Sequence, residues 1–558
     1  MAKEVILHED ALPRLLAGLG ETARAVASTL GPAGPAVLIE HRTRGLAPIV
    51  SRDGATVAKA IRHADPIADL GARLLRDVAS AVSRQAGDGT TTATVIADSL
   101  ARQVLAAIAA GAHPTRLKKG MERACSAVVD ELRIAAVAAD DERVIAQVAH
   151  TASGEESLGG LFAQVVRRLG RNGSLELEMG RGRSDEFEVV EGARFEQGYL
   201  SPYFVTDKTR LVAELERPYI LLYEGEISRI DDLIPLYDAV GEAGRSLLLI
   251  ADNVTEGALT TTLLNHVRGV IRVVAVRPPA FGDRRPLHVD DLAALTGARV
   301  LRCAYGDSLV QAQLTDLGEA RRVVVDAGST TIIGGAGDTA AIVARRAGLQ
   351  QELGQLRQRR AGEGSATGNL VDAEDLEARI ARLGGAMGIV RIGGALDLEI
   401  QERLTRARNA WSSVSAAMAE GVVAGGGAGL LRCRHALEGL TAADEDQRRG
   451  IEIVGASLAA PLRRIAANCG QDPDQVESHV AAAGSDSLFD ARRRAYDDAF
   501  ACGVLDPVRV LRLGLQNAVG VVSLMITAGA VITDIRRDLA PGFSAEWAAA
   551  TRENPRAA

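Results

Sequence analysis

Apolar residues recur at steps of three and four along the first 135 positions, which is the spacing of one helical face. The pattern returns in residues 67–82 and 96–108. It also occurs in residues 10–30, where one face would carry apolar residues, namely Leu12, Leu15, Leu19, Ala23, Val26 and Leu30. The spacing therefore predicts a mainly helical first segment.

Short β-rich runs replace this rhythm between about residues 190 and 330, and helical stretches separate them. These runs are Ile220 to Tyr223, Leu247 to Ile250, Val273 to Val276, and Val323 to Val325. Such alternation is typical of an α/β domain. Helical patterns return from about residue 400, for example over residues 451–467 and 508–532. We predict a multidomain fold of α and α/β type in which an α/β insertion interrupts a helical domain.

Composition narrows the class of protein. A chain of 558 residues exceeds one hydrophobic core, and 47% hydrophobic with 24% charged residues is the balance of a globular protein. The net charge of -8 offers no basic surface for a phosphate backbone, so no nucleic-acid partner is expected. Five scattered cysteines form no CxxC pair, which argues against a disulfide framework or zinc site and favours the cytoplasm.

No membrane association is expected either. The first ten residues contain no apolar leader segment. The longest uncharged run, Ala518 to Thr533, is shorter than a membrane-spanning helix and contains Gly, Ser and Thr. We interpret this run as a buried core helix.

Three glycine-rich segments are candidates for a phosphate site, although the pattern GxxxxGK[ST] is absent. Thr29 to Gly34 equally fits a turn that ends a helix. Gly87 to Ala93 precedes a predicted helix and combines two glycines, Asp88 and three threonines, which exceeds what a helix N-cap requires. Ala424 to Gly427 fits either phosphate binding or a close helix-packing turn.

An ordered set of motifs resembles the group I chaperonins of the GroEL type (60 kDa chaperonins). The resemblance extends over nearly the whole chain, to about Asp534. Its motifs are Thr29-Leu-Gly-Pro32, Asp53-Gly-Ala-Thr-Val-Ala58, Gly87-Asp-Gly-Thr-Thr-Thr-Ala-Thr94, Val190-Glu-Gly192, Gly198-Tyr-Leu-Ser-Pro-Tyr-Phe204, Phe281-Gly-Asp-Arg-Arg285, Glu420-Gly-Val-Val-Ala-Gly-Gly-Gly427 and Leu505-Asp-Pro507.

The resemblance implies a helical equatorial ATPase domain, a small α/β intermediate domain and an inserted α/β apical domain. The equatorial domain would comprise residues 1–135 and 420–558, the latter with the tail. The intermediate domain would comprise residues 136–190 and 387–419. The apical, polypeptide-binding domain would comprise residues 191–386.

The resemblance also implies a site for ATP and Mg²⁺. Asp88 would bind the metal ion. The positions matching the nucleotide-binding residues of the family are Thr29, Leu30, Gly31, Pro32, Arg52, Asp88, Gly89, Thr90, Thr91, Thr92, Gly426, Asp490, Ala491, Arg492 and Asp506. Arg52 stands where the family usually has Lys, which keeps the charge but changes its geometry.

The position of the water-activating residue departs from the family pattern. Counting back from Gly421 places Asn409 where the family has Asp. Asn can orient water but cannot accept its proton, and loss of a general base typically costs about 10²- to 10⁴-fold in rate. Phosphoryl transfer depends mainly on positioning and metal charge, so slow hydrolysis is expected. Asp53 supplies a second carboxylate near the phosphates. The assigned catalytic positions are Asp53 and Asn409.

The predicted apical domain contains helices with stripes of apolar residues. By themselves such stripes predict buried core residues. The resemblance instead implies a groove for non-native polypeptides and for the mobile loop of a small co-chaperonin of the GroES type. The implied polypeptide-binding positions are Tyr199, Ser201, Tyr203, Phe204, Ile234, Tyr237, Leu259, Leu263 and Leu264. Asn265 would add a polar contact. Self-association into seven-membered rings stacked in pairs is implied as well.

Two functions remain open at this level. The first is an ATP-dependent chaperone that folds polypeptides inside a ring with a co-chaperonin. The alternative is an ATP-binding holdase or assembly factor with slow hydrolysis because of Asn409. A metabolic kinase or dehydrogenase would need a phosphate loop and a catalytic constellation that the sequence lacks. The tail without Gly-Gly-Met repeats and the lengthened stretch Gln358 to Asp372 suggest a specialised paralogue.

Overall fold

The computed structural model describes residues 3–40, 48–171, 173–180, 182–207, 211–280, 282–362, 375–377, 379–380, 382–383, 386–484 and 486–534. Its residues form two compact units. One contains residues up to Gln164 together with those from Glu402 onward, and we call it the helical unit. The other, Val165–Gln401, is the inserted unit. The division of the chain into three domains stays a prediction.

The α-helices, in chain order, are α1 His8–Ala27, α2 Gly54–Ala60, α3 Pro66–Ala86, α4 Thr90–Ala109, α5 Pro114–Ile134, α6 Glu142–Ser153, α7 Glu156–Leu169, α8 Ile234–Glu242, α9 Glu256–Val267, α10 Arg285–Thr296, α11 Thr339–Gly362, α12 Asp397–Glu420, α13 Ala428–Arg432, α14 Glu445–Ser457, α15 Ala460–Asn468, α16 Pro473–Ala482, α17 Ala499–Cys502 and α18 Val508–Thr527.

The strands are β1 Lys3–Leu7, β2 Val37–Ile39, β3 Ile49–Ser51, β4 Ser174–Met179, β5 Glu186–Phe195, β6 Ala213–Glu216, β7 Tyr219–Ile227, β8 Leu247–Val254, β9 Val273–Val276, β10 Val300–Arg302, β11 Gly318–Val325, β12 Thr330–Gly335, β13 Ala386–Ile392, β14 Val422–Ala424, β15 Ser487–Asp490, β16 Ala495–Asp498, β17 Leu505–Pro507 and β18 Ala530–Asp534.

The helical unit buries the apolar stripes that the sequence predicts. Helix α1 packs on α3, and α18 packs on α4 and α5. Helices α1 and α3 cross so closely that a side chain would not fit between them. A Cβ on Gly18 would lie 1.8 Å from the carbonyl oxygen of Ala68, and one on Gly71 would lie 1.8 Å from that of Leu15. Both positions therefore require glycine.

The inserted unit is built on a mixed ten-stranded sheet. Its main path runs β4-β13-β5-β12-β11-β7-β8-β9, with β10 beside β7 and β6 beside β11. Strands β10, β7, β8 and β9 are parallel, and the helices between them follow the alternation read from the sequence. Every predicted β-rich run lies in a strand, and the predicted fold class of α and α/β parts is confirmed.

Among the described residues, two helices, α4 and α18, are long and apolar enough to cross a membrane by length and composition alone. They pack against each other in the core of the helical unit, where Leu100, Val104, Leu515 and Val522 are fully buried. Of the lengthened stretch Gln358 to Asp372, the residues after Gly362 lie outside the described residues, as does the tail after Asp534.

Candidate functional site

The loop between α3 and α4 contains two positions, on either side of Asp88, whose backbone conformation requires glycine. Gly87 (φ 72°) ends α3 and Gly89 (φ 81°) precedes α4, both in the left-handed region. A Cβ on Gly87 would lie 2.2 Å from the Ser412 side chain, and one on Gly89 would lie 2.3 Å from Cγ1 of Val510. The first N–H groups of α4 have no partner within the helix, so this end can bind an anion.

Asp88 and Asp506 form a pair of carboxylates in a recess beside this loop. Both are partly exposed yet surrounded by protein, and this burial raises the pKa of each. The negative charge of Asp88 further raises the pKa of Asp506, which reaches about 7 although Asp506 accepts backbone hydrogen bonds from Gly427 and Gly426. The structure therefore brings together two motifs, Gly87 to Thr94 and Leu505 to Pro507, that lie far apart in the sequence.

Asp53 belongs to the same neighbourhood. Asp53 is the N-cap of α2. Its Oδ2 accepts hydrogen bonds from the backbone N–H and the hydroxyl of Thr56, at 2.7 and 2.6 Å. A Cβ on Gly54 would lie 2.5 Å from Oγ1 of Thr91, so α2 begins against the start of α4. The charge of Asp53 contributes to the raised pKa of Asp88. Arg52 is exposed.

The Thr29 segment forms a turn that ends α1. The Thr29 hydroxyl donates to the carbonyl oxygen of Val26 at 2.8 Å, and Gly31 is left-handed (φ 83°). Asn468, which the sequence analysis missed, donates from Nδ2 to the carbonyl oxygens of Ala27, Ser28 and Leu30. This segment therefore ends a helix, as one of the two interpretations predicts. Phosphate binding by Thr29, Leu30, Gly31 and Pro32 stays a prediction.

Asn409 lies on α12, one turn before two residues that contact the loop. Ser412 packs against Gly87, and the Ser413 hydroxyl donates to Oδ2 of Asp88. Residues three and four apart share a helical face, so Asn409 lies on the face that meets the loop. Arg403 and Arg406 hold α12 through ion pairs of 2.9 and 2.8 Å with Glu155.

The positions assigned to the adenosine come from three segments. Strand β14 pairs with β17 so that Val423 lies opposite Asp506, which brings Gly426 close. A Cβ on Gly426 would lie 3.7 Å from the carbonyl oxygen of Phe489, the neighbour of Asp490 and Ala491. Oδ1 of Asp490 already accepts the backbone N–H of Arg492 at 2.8 Å. Arg492 contacts His150, a residue that no sequence motif marks.

The donor set of the recess fits a hard divalent cation. Two neighbouring carboxylates with raised pKa values are stabilised in their charged form by a nearby cation. Within the described ranges no group of three or more His, Cys, Asp and Glu side chains converges. A site with so few carboxylates suits an ion that also takes ligands from phosphate oxygens and water.

The positions assigned to polypeptide binding divide into exposed and buried residues. Tyr203, Ile234 and Leu264 are exposed, by 73%, 45% and 47%. Tyr199, Leu259 and Leu263 are half-buried and pack on the core of the inserted unit. Val267 and Val270, at and after the end of α9, are also exposed and extend the apolar surface beyond the assigned positions.

Three of these assignments need correction. Phe204 is fully buried, with its ring edge-to-face against His266 at 5.5 Å between centroids. Tyr237 is buried and its hydroxyl lies 3.1 Å from that of Thr262. Ser201 is buried and its hydroxyl accepts the backbone N–H of Tyr203. These side chains support the surface but present no face to a polypeptide, because the surrounding protein covers them. Asn265 is half-buried and bonds to its own helix.

A helical unit that carries this glycine-rich loop and its carboxylates, interrupted by an α/β insertion with an exposed apolar surface, is the arrangement expected of a chaperonin. Residues 22–536 match the TCP-1/cpn60 chaperonin family. The chain therefore belongs to this family, and its function is that of a chaperone in protein folding.

Two known proteins illustrate the similarity. Chaperonin GroEL 3 of Methylococcus capsulatus (strain ATCC 33009 / NCIMB 11132 / Bath) is 47% identical over 559 residues, which cover all of both chains. The crystal structure of the chaperonin gp146 from bacteriophage EL 2 (Pseudomonas aeruginosa), in presence of ATP-BeFx, is 22% identical with a TM-score of 0.71. That match covers 95% of this chain and 99% of the phage protein and supports the fold.

Proposed function

We propose that the protein is an ATP-hydrolysing chaperone that binds non-native polypeptides and promotes their folding in an oligomeric ring. The observation that carries the proposal is the recess in which Asp88, Asp506 and the start of α4 meet. Its backbone N–H groups suit phosphates, and the Asp88 carboxylate suits a cation. Chaperonins are generally ATPases, and the structurally similar phage chaperonin was crystallised in presence of ATP-BeFx.

In this proposal ATP would supply the phosphoanhydride bond that is hydrolysed, and Mg²⁺ would offset the negative charge of the phosphates. Asp88 would hold the metal ion, and the N–H groups of residues 90–92 would face the phosphates. Asp506 faces the nucleoside and is held there by the N–H groups of Gly426 and Gly427. Asn409 orients the attacking water through its amide, and Asp53 provides the remaining carboxylate near the phosphates.

Slow hydrolysis favours a second function, that of an ATP-binding holdase or assembly factor. The specific observation is Asn409 on the face of α12 that meets the loop, because an amide accepts no proton from water. A protein with this second function would still capture polypeptides and bind nucleotide, but it would not couple folding to rapid ATP hydrolysis.

The polypeptide surface in this proposal comprises the exposed apolar residues of the inserted unit. Tyr203, Ile234, Leu264, Val267 and Val270 provide non-directional contacts, which suit many clients. The mobile loop of a GroES-type co-chaperonin would occupy the same surface in turn. We place the protein in the cytoplasm, where its five unpaired cysteines would stay reduced.

Seven-membered rings, stacked in pairs, complete the proposal. Two small antiparallel ribbons, β1 with β18 and β2 with β3, support self-association. Val5 lies opposite Ile532 and Leu38 lies opposite Val50, and all four side chains are exposed. A two-stranded ribbon with an exposed apolar face gains stability when another chain covers it.

Steady-state ATP hydrolysis, with and without a denatured protein, tests the proposal. The foldase function expects hydrolysis and recovery of client activity that depends on ATP. The holdase function expects suppressed aggregation with almost no turnover. The control is Asp88→Ala, which should abolish Mg-ATP binding in either case. Absence of any ATP binding by the wild-type protein would reject both.

A further inference from the structure

The side chain of Ser413 makes a contact that neither the motifs nor the family resemblance single out. Ser413 is fully buried on α12, and its hydroxyl donates to Oδ2 of Asp88. The other carboxylate oxygen, Oδ1, accepts the N–H of Gly89 at 2.7 Å. Each oxygen of Asp88 thus has one donor, and the two donors come from different parts of the chain.

The position of the Ser413 hydroxyl is determined by the packing of α12. Ser412 fills the space next to Gly87, and Ala416 packs with Ala86 and Val510. These contacts lie on both sides of Ser413 along the helix. The packing therefore holds Ser413 beside the loop, where its hydroxyl reaches Asp88.

Two donors on two oxygens determine how the carboxylate is oriented. The terminal torsion of Asp is broad and nearly two-fold, so one hydrogen bond alone leaves the carboxylate plane poorly defined. A carboxylate oxygen has two lone pairs, and one on each oxygen of Asp88 remains for another ligand. Hydrogen bonds that orient a metal ligand raise the affinity for the metal.

We propose that Ser413 is a positioning residue for metal binding by Asp88, and that its hydroxyl orients the carboxylate before the divalent cation arrives. This inference rests on the proposed nucleotide site. It assigns to α12 a second polar contribution besides that of Asn409, directed at the metal rather than at the attacking water.

Metal affinity, measured apart from turnover, tests the inference. Binding of Mn²⁺ to the full chain at saturating ADP is followed by electron paramagnetic resonance. For Ser413→Ala we expect an Mn²⁺ dissociation constant about tenfold or more above that of the wild type. Ser413→Cys leaves no cavity and keeps a weak donor on a somewhat larger side chain, and we expect a smaller increase.

The matched control is Ser415→Ala, on the same helix. The Ser415 hydroxyl donates to the carbonyl oxygen of Trp411 at 2.9 Å, so this change removes a hydroxyl that does not touch the loop. Equal Mn²⁺ affinities for the Ser413 and Ser415 variants would overturn the inference while leaving the nucleotide site intact. Absence of ADP-dependent Mn²⁺ binding in the wild type would instead overturn the proposed site and this inference together.

Discussion

Asp506 makes the stability of the nucleotide-free protein depend on pH. Its pKa rises from 3.8 to about 7, mainly through burial and also through the charge of Asp88. Between these values the folded chain keeps a proton that the unfolded chain releases. The free energy of unfolding therefore falls as pH rises from about 4 to 7, by up to about 1.4 kcal/mol per pH unit for this proton.

We expect Asp506→Asn to reduce this slope and to stabilise the protein at pH 8, because the amide cannot ionise. Denaturant midpoints at pH 5.5 and pH 8, measured in EDTA without nucleotide, check the expectation. Identical pH dependence in both proteins would show that Asp506 ionises as readily in the folded chain as in the unfolded one.

Asn409→Asp restores a proton acceptor on the face of α12 that meets the loop. We expect the single-turnover rate of ATP hydrolysis to rise by about tenfold or more, with little change in ATP affinity. Quenched-flow measurements of this rate check the expectation. Asn409→Ala is the control, because it alters the packing at this position without adding a general base. An unchanged rate would mean that another group activates the water.

Gly89→Ala tests the backbone of the loop. A left-handed Ala costs about 1 to 3 kcal/mol, and the contact with Val510 adds about 1 to 3 kcal/mol. We expect a clear fall in melting temperature and weaker nucleotide binding. In a double-mutant cycle, adding Val510→Ala to Gly89→Ala should restore only the stability lost through the contact with Val510, and not the cost of the left-handed backbone. Additive losses would indicate that the two side chains do not meet.

At the scale of the element, α9 carries its apolar residues on two faces with different roles. Leu263 packs on the core of the inserted unit, whereas Leu264 is exposed. Helix periodicity places adjacent residues about 100° apart, so one helix can serve both the core and a binding surface.

Replacement of each leucine by Ser separates these roles. Leu264→Ser should leave the melting temperature almost unchanged and weaken capture of a denatured client. Leu263→Ser should cost about 1 to 3 kcal/mol of stability, since it exposes core atoms and half-buries a hydroxyl. Thermal melting and aggregation assays of both variants check this. Normal capture by Leu264→Ser at full stability would remove α9 from the proposed surface.

At the scale of the whole molecule, the two apolar ribbons bear on assembly. We expect Leu38→Asp to dissociate the proposed ring, because it places a charge where another chain would cover the ribbon. Light scattering after size exclusion and negative-stain images measure the state. Tyr305→Asp, at an exposed position of the inserted unit, is the control. Intact rings in both variants would show that this ribbon is not an assembly surface.

The sequence by itself determined the class of fold and the family. Apolar periodicity is local, so the helices and the parallel strands could be predicted from short windows, and the order of the glycine-rich motifs identified the family. It also indicated that Asp88 and Asp506 belong to one site, although only through the resemblance.

The tertiary structure alone decided which side chains meet and which are covered. Ser413 and Asp88 are 325 residues apart, and no local pattern connects them. Phe204 and Tyr237 belong to apolar stripes that look alike in sequence whether they face solvent or core, and helix packing buries both. Burial and contact depend on the assembled neighbours of a residue, whereas periodicity depends only on its own segment.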